Sequence, residues 1–287
     1  MYLNKEFSNE YNYIFENFNI LKIDNLSIEN NNNNDIIDLC LLNFRQPTLL
    51  RENLRLVKKY FKDLYNYTIF DVYYDETTLI ENSSICKDFG FSYVCFDILP
   101  KYKNIWLCDR LGLKMDCMLR YVKSRKSKYI GYIQQDIYFI KDFMCMDDLI
   151  KNKCYGRCLE SKDFWYLWNG FSFFDVDYFE DLDFFPNSPG SLKYKADRPN
   201  YENGGGNYYL YFRNRYKKEQ FIGMNSGYSI YINGDKSTNP YSDDIKDVIC
   251  ESMRNESLIH GLAVSNWCNR DGIDIKNLKL LELLKRY

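Results

Sequence analysis

The chain has 287 residues, enough for one large domain or two small ones with ample core. Its 38 Lys and Arg nearly balance 40 Asp and Glu, for a net charge of −2, which lacks the basic excess a general nucleic-acid binder needs. The N-terminal MYLNKEFSNEY shows no basic-then-apolar leader and no run of 18 apolar residues occurs, so a soluble, cytoplasmic protein is expected.

Aromatic residues reach 18%, with 27 Tyr and 20 Phe. Asn, Lys, Ile, Tyr and Phe share AT-rich codons, as in AT-rich viral or microbial genomes, so the Tyr count is not by itself a binding platform. The Asn run at 30–34 reads as a loop. Ten Cys occur without a CxxC pair, the nearest spacing being Cys154 and Cys158. Reduced, buried thiols are expected rather than a zinc site or a disulfide framework.

Residues 1–34 read as an N-terminal extension with helical and strand-like pieces. From residue 36 the elements alternate. IIDLCLLNF (36–44) is a continuous apolar run of strand length. Leu50, Leu54, Val57, Phe61 and Leu64 then recur at spacings of four and three, the pattern of a one-faced helix. YTIFDVYYD (67–75) is strand-like, TTLIENSSICKDFG predicts a helix ending at Gly90, and FSYVCFDI is a third strand. A longer helix carries Leu111, Met115, Met118 and Val122 on one face, and the basic KSRKSK leads from it into YIGYIQQDIYFI, the fourth strand. Strands apolar on both faces, alternating with helices, predict an α/β fold with a mostly parallel sheet covered on both sides. Asp71, Asp75, Asp97 and Asp136 fall near the strand ends, where such sheets bind ligands, although strand-end acids also cap helices. After residue 150 the alternation fails and the chain reads as a mixed, aromatic-rich region folded onto the first half, with 187–207 as a loop. The tail IDIKNLKLLELLKRY predicts an amphipathic helix within 271–287.

Asp136 raises a specific question, because it interrupts the most hydrophobic stretch of the chain. An unpaired buried charge costs several kcal/mol or more, so it requires a partner: a metal, a ligand or a neighbouring Lys. No GxGxxG follows the first strand and there is no GxxxxGK[ST], which disfavours dinucleotide and P-loop chemistry. The single His, His260, has no GxSxG element to serve, which disfavours nucleophilic hydrolysis.

YIGYIQQDIYFI resembles the hhhLDxDhhh region of nucleotide-sugar glycosyltransferases with the GT-A fold (family 2-like), with Gln134 in place of the first Asp and Asp136 at the second. DLCLLNFRQPTLLRENLRLV is similar to that family's first strand, NR loop and following helix. DRLGLKMDCMLRYVKSRKSK looks like the basic helix before the acidic motif, LWNGFSFFDVDYF resembles the NSGF acceptor-side segment, and SLIHGLAVSNW resembles the HxxxxSNW closing element. The resemblance spans about 35–270. It implies a GT-A (Rossmann-like) glycosyltransferase domain with a mixed, mostly parallel sheet flanked by helices. The implied activity is metal-assisted transfer of a sugar, of hexosyltransferase type, from a nucleoside-diphosphate sugar (UDP-sugar in the first instance) to a hydroxyl of a glycan or glycoconjugate.

In such a reaction negative charge builds on the departing diphosphate, and a hard cation such as Mn2+ or Mg2+ offsets it through carboxylate, water and, for Mn2+, imidazole ligands. The resemblance assigns the metal to Asp136 and His260, with a core histidine as the alternative reading of His260. Gln134 removes one of the usual negative charges, which predicts weaker metal binding or none. By the same resemblance, Asn43, Arg45, Asp75, Arg110, Lys114, Gln134, Gln135 and Asp136 bind the nucleotide sugar, although Arg110 and Lys114 could equally be solvated helix charges. Trp168, Asn169, Gly170, Gly204, Gly205, Asn266 and Trp267 are assigned to the acceptor, with core packing the alternative for the Trp residues. Three Gly at 204–206 allow close backbone approach, and Glu202 beside them is the candidate base, with Asp175 and Asp177 as competitors. Two other classes stay open: a non-catalytic nucleotide-sugar or glycan-binding relative, which Gln134 favours, and a sugar-phosphate nucleotidyltransferase, which the missing Gly-rich first loop disfavours.

Overall fold

The computed structural model describes residues 18–24, 36–43, 45–102, 107–161, 164–179, 184, 226–231, 235–237, 248–253, 256–261 and 273–287, and the elements are numbered among these. The first half follows its pattern: β2 (Ile37–Asn43), α1 (Pro47–Tyr60), β3 (Tyr65–Val72), α2 (Glu76–Phe89), β4 (Ser92–Ile98), α3 (Leu107–Ser124) and β5 (Tyr129–Gln134). Preceding them, β1 (Phe18–Asp24) comes from the segment read as an extension, and it pairs antiparallel with β4.

Pro47 starts α1, where its missing N–H costs nothing. The periodicity predicts helix through Leu64, but α1 stops at Tyr60. Phe61 turns extended and forms a parallel bridge to Phe143, anchored by Phe143 N–H to Tyr60 O and Lys62 N–H to Phe143 O. Leu64 is left exposed. Gly90 closes α2 in the left-handed region at φ 73°, which a residue with a Cβ adopts only under strain.

Four strands, β4-β3-β2-β5, form the parallel centre of a seven-stranded mixed sheet in the order β1-β4-β3-β2-β5-β8-β7, where β7 is Cys154–Ser161 and β8 is Phe164–Asp175. Alternation along each strand serves two cores. Leu39, Leu41, Ile69, Tyr93 and Ile133 face Leu50, Leu54, Val57, Leu79 and Ile85 of α1 and α2. Cys40, Phe70, Val94, Ile130 and Tyr132 face Leu113, Met118 and Val122 of α3. Strands apolar on both faces thus have helices over both, as the sequence predicts.

After β5 the chain turns at Gln135–Asp136 and changes sheets. β6 (Ile137–Phe139) belongs to a second sheet of order β10-β9-β11-β12-β6, built from β9 (Ser226–Tyr231), β10 (Lys236–Ser237), β11 (Val248–Met253) and β12 (Leu258–Gly261). This explains why the apolar stretch 129–140 is interrupted at its middle: two strands buried in different sheets flank one polar turn. α4 (Met146–Asn152) then leads into the hairpin β7 (Cys154–Ser161) and β8 (Phe164–Asp175), whose β8 runs antiparallel to β5. α5 (Ile273–Leu284) packs Leu280 and Leu284 with Leu49 and Leu56 of α1 and with Tyr138, Ile230 and Ile259 of the second sheet. All seven Cys in the described residues with resolved side chains are buried and free. Among the described residues, no helix is long and apolar enough to cross a membrane.

Candidate functional site

From β2 the chain steps to β3 and β4 on one side, then crosses to β5 on the other. The carboxyl ends of β2 and β5 therefore border the point where winding reverses, the place at which open α/β sheets form ligand crevices. Asn43 ends β2 and Arg45 follows it; Gln134 ends β5, and Gln135 and Asp136 form the turn.

Asp136 is 6% exposed, and its Oδ1 is a buried acceptor with no hydrogen-bond donor among the described residues. Burial pushes its carboxyl above the ordinary 3.8, opposed by the charge of His260. His260 Nε2 lies 3.9 Å from Asp136 Oδ2, too far for a direct hydrogen bond. The chain brings these residues together through the second sheet. His260 registers opposite Ile137 across β12–β6, and Gly261 N–H donates to Asp136 O at 2.7 Å.

Behind the imidazole lies a pair that sequence reasoning missed. Glu251 sits directly opposite His260 across β11–β12 and meets His260 Nδ1 at 2.8 Å. Arg157 of β7 donates to both Glu251 oxygens. Burial works against the Glu251 carboxylate, but the His260 hydrogen bond and the Arg157 guanidinium outweigh it and hold it well below its usual 4.5. Neither residue lies in a motif. Arg157 stands in an irregular stretch of the β7–β8 pairing, between Gly156 and Cys158, and its partner is 94 residues away. The available signal was a charged residue in each of two strands, Arg157 in CYGRCLES and Glu251 in VICESM.

Trp168 completes the cluster, with its indole 4.6 Å from the His260 ring and the Arg157 guanidinium 5.3 Å from its centroid. It is buried, with the imidazole and the guanidinium packed against the indole. Gly170, two residues on, is required by this packing, since a Cβ there would run into the Trp168 indole. Asn169 lies between them in β8, its side chain outside the description.

The residues assigned to the nucleotide divide. Asn43 donates from Nδ2 to Asp71 Oδ1 at 3.0 Å, while its own Oδ1 is buried without a partner. Asp71 also accepts from Asn82 (2.8 Å) and Tyr93 (2.6 Å). Asp75 caps α2, accepting Thr78 N–H at 2.7 Å, and that bond, with help from Arg45, holds its carboxyl below the usual range. Its cap role is the alternative the sequence allowed. Arg45 takes φ 56°, a left-handed backbone uncommon for a residue with a Cβ, and its guanidinium lies 3.5 Å over the exposed Tyr74 ring. Lys114 is partly buried on α3, and Arg110 belongs to the same helix with its side chain outside the description.

Asp175 and Asp177, the competing base candidates, lie away from the carboxyl ends of β2 and β5. Asp175 registers with Tyr129 at the start of β5, so the length of that strand, roughly 16 Å at the usual rise, lies between it and the carboxyl end. There it accepts Tyr178 N–H and pairs with Lys153 at 3.5 Å, and Asp177 borders a surface cleft of about 390 Å³ with Lys123, Lys126, Ser127 and Val176. Glu202, Gly204, Gly205, Asn266 and Trp267 lie outside the described residues.

No family model matches the sequence, and no curated protein matches it. Solved structures show similarity at low identity. A galactosyltransferase, LgtC, in complex with donor and acceptor sugar analogues is 9% identical, with a TM-score of 0.36 over 51% of this chain and 60% of its own. An active-site mutant of LgtC is 11% identical, with a TM-score of 0.46 over 87% and 95%. The mannosyltransferase Ktr4p from S. cerevisiae is 10% identical, with a TM-score of 0.32 over 51% and 57%.

Proposed function

We propose that this chain is a GT-A-type glycosyltransferase that moves a sugar from a nucleoside-diphosphate sugar to a hydroxyl acceptor with help from a divalent cation. One observation carries the reading: at the winding reversal of a mixed α/β sheet, Asp136 is buried with an acceptor oxygen that no group among the described residues satisfies. A hard cation would satisfy it, and Asp136 Oδ with His260 Nε2 form an oxygen-plus-imidazole donor set that suits Mn2+. Among the described residues no third His, Cys, Asp or Glu completes a cage, so the remaining positions would fall to diphosphate oxygens and water. When bound there, such a cation would offset charge on the departing diphosphate.

The chain's own contributions follow from their places. Asp136 and His260 would fix the diphosphate end of the donor at the β5 terminus. Asn43, with its unsatisfied Oδ1, offers an acceptor at the adjacent β2 terminus, and Arg45 a cation beside it. Gln134 can donate to or accept from a ribose or a metal-held water without adding charge. Glu202 keeps its place as the proposed base.

Gln134 in the place of a carboxylate also favours a second reading, a nucleotide-sugar binder without turnover. Thermal shifts with UDP-, GDP- and dTDP-sugars, with and without Mn2+, identify the donor. Release of nucleoside diphosphate from the stabilising sugar nucleotide is expected for the transferase. Stabilisation without release establishes the binder, pyrophosphate release a nucleotidyltransferase, and the absence of any shift removes the proposal.

A further inference from the structure

His260 touches Asp136 on one side and a buried ion pair on the other, and the second contact determines what the first can do. We propose that Glu251, held by Arg157, is a positioning residue that fixes the tautomer and ring orientation of His260, so that Nε2 offers its lone pair toward Asp136. The inference rests on the reading of Asp136 and His260 as a divalent-cation half-site and names the groups that preorganise it.

The chemistry is directional. Glu251 is 1% exposed, and Arg157 donates to both of its oxygens, an environment that keeps the carboxylate ionised. An ionised carboxylate only accepts, so the 2.8 Å contact to His260 Nδ1 places a proton on that nitrogen. In the neutral ring the lone pair is then on Nε2, the nitrogen that faces Asp136. Orientation is held as well as protonation. Glu251 and His260 are direct cross-strand neighbours, and the Trp168 indole packs against the imidazole while Arg157 lies over the same indole. Gly170 leaves the space that this packing uses. Hydrogen bonds to the far nitrogen of a metal-binding His commonly set its tautomer in this way. The competing account is a purely structural ion pair joining β7 of the first sheet to β11 of the second. That account is indifferent to which imidazole nitrogen carries the proton.

Because His260 is the only histidine, nitrogen NMR of the full chain with labelled His reports one ring. At pH 9 the wild-type chain should show the proton on Nδ1 and the lone pair on Nε2. Glu251→Gln should redistribute that proton and weaken Mn2+ binding in the presence of UDP by about 10- to 100-fold in calorimetry. Arg157→Lys, which keeps the charge but loses the fork, should act in the same direction by less. A proton on Nε2 in the wild-type chain overturns the proposal, even if Glu251→Gln fails to fold. So does a Glu251→Gln protein of lowered melting temperature whose tautomer and Mn2+ affinity stay at wild-type values. A wild-type chain with Nδ1 protonated that binds no Mn2+ with UDP removes the cation reading while leaving Glu251 as the residue that orients His260.

Discussion

Asp71, near the end of β3, and Asp136, in the turn after β5, lie on either side of β2, and the protein treats them oppositely. Both are buried, and burial lifts both carboxyls above the ordinary 3.8. Around Asp71 the fold supplies Tyr93, Asn82 and Asn43 as donors, reaching both oxygens. Around Asp136 the described residues supply no donor to Oδ1, and an imidazole lies 3.9 Å from Oδ2. A buried carboxylate with three donors is a completed structural network; one with an unsatisfied oxygen at a sheet's winding reversal has capacity for a ligand. Strand-end position alone does not separate the two, and only the census of donors does.

The largest effect that would break this contrast is at Asp136. Asp136→Asn keeps the shape and removes the anion, so turnover should fall on the order of 100- to 1,000-fold, as expected for losing several kcal/mol of charge stabilisation. Fold stability should not fall with it. Because the folded-state value lies above the unfolded one, the folded chain keeps its proton longer and stability declines as pH rises from 3.8 through the folded value. The variant lacks that decline, so urea midpoints compared between about pH 4 and 7 should move in its favour. Wild-type turnover in Asp136→Asn would place Asp136 in the same class as Asp71.

Asp71→Asn should show the reverse profile. It strands buried donors, Asn43 among them, and should cost about 2–4 kcal/mol in urea unfolding, a loss of stability that Asp136→Asn does not share. A variant of wild-type stability would mean that the three hydrogen bonds are not a structural network.

Gly170→Ala tests the support behind the site. The added methyl must displace the Trp168 indole, so a loss of about 1–3 kcal/mol is expected, with a change in Trp fluorescence. The smallest effect belongs to Gln134→Asp, which sharpens the contrast by adding a second anion beside Asp136. Mn2+ affinity with nucleoside diphosphate should rise about tenfold, near the 1.4 kcal/mol of a modest charge interaction at partial exposure. Unchanged calorimetry would argue against the correspondence of Gln134 with a metal-binding carboxylate.

The strands and helices from residue 36 to Asp136 were legible because each records its burial locally. Two-sided apolar runs mark strands covered on both faces, as Leu39 and Cys40 show by serving different cores, and a 3.6-residue period marks the faces of α1 and α3. Gly90 announced the end of α2 for an equally local reason, its left-handed backbone. Asp136 stood out because it interrupts an apolar run, whereas His260 entered as a candidate through the resemblance of SLIHGLAVSNW to a closing element.

What tertiary structure decided is everything that depends on register between distant strands. The antiparallel run of β8 carries Asp175 to the far end of the sheet from Gln134, although both lie beside motifs that read as one site. The β11–β12 ladder puts Glu251 against His260, and Arg157 reaches them from another sheet, so a pairing across 94 residues leaves no periodicity to read. Helix α1 ends at Tyr60 because Phe143 offers its neighbours backbone partners, a reason absent from the helix's own sequence. Hydrophobic periodicity is a property of one segment against an average interior. Hydrogen-bond satisfaction belongs to particular atoms brought together by the whole chain, and it is satisfaction that distinguishes Asp136 from Asp71.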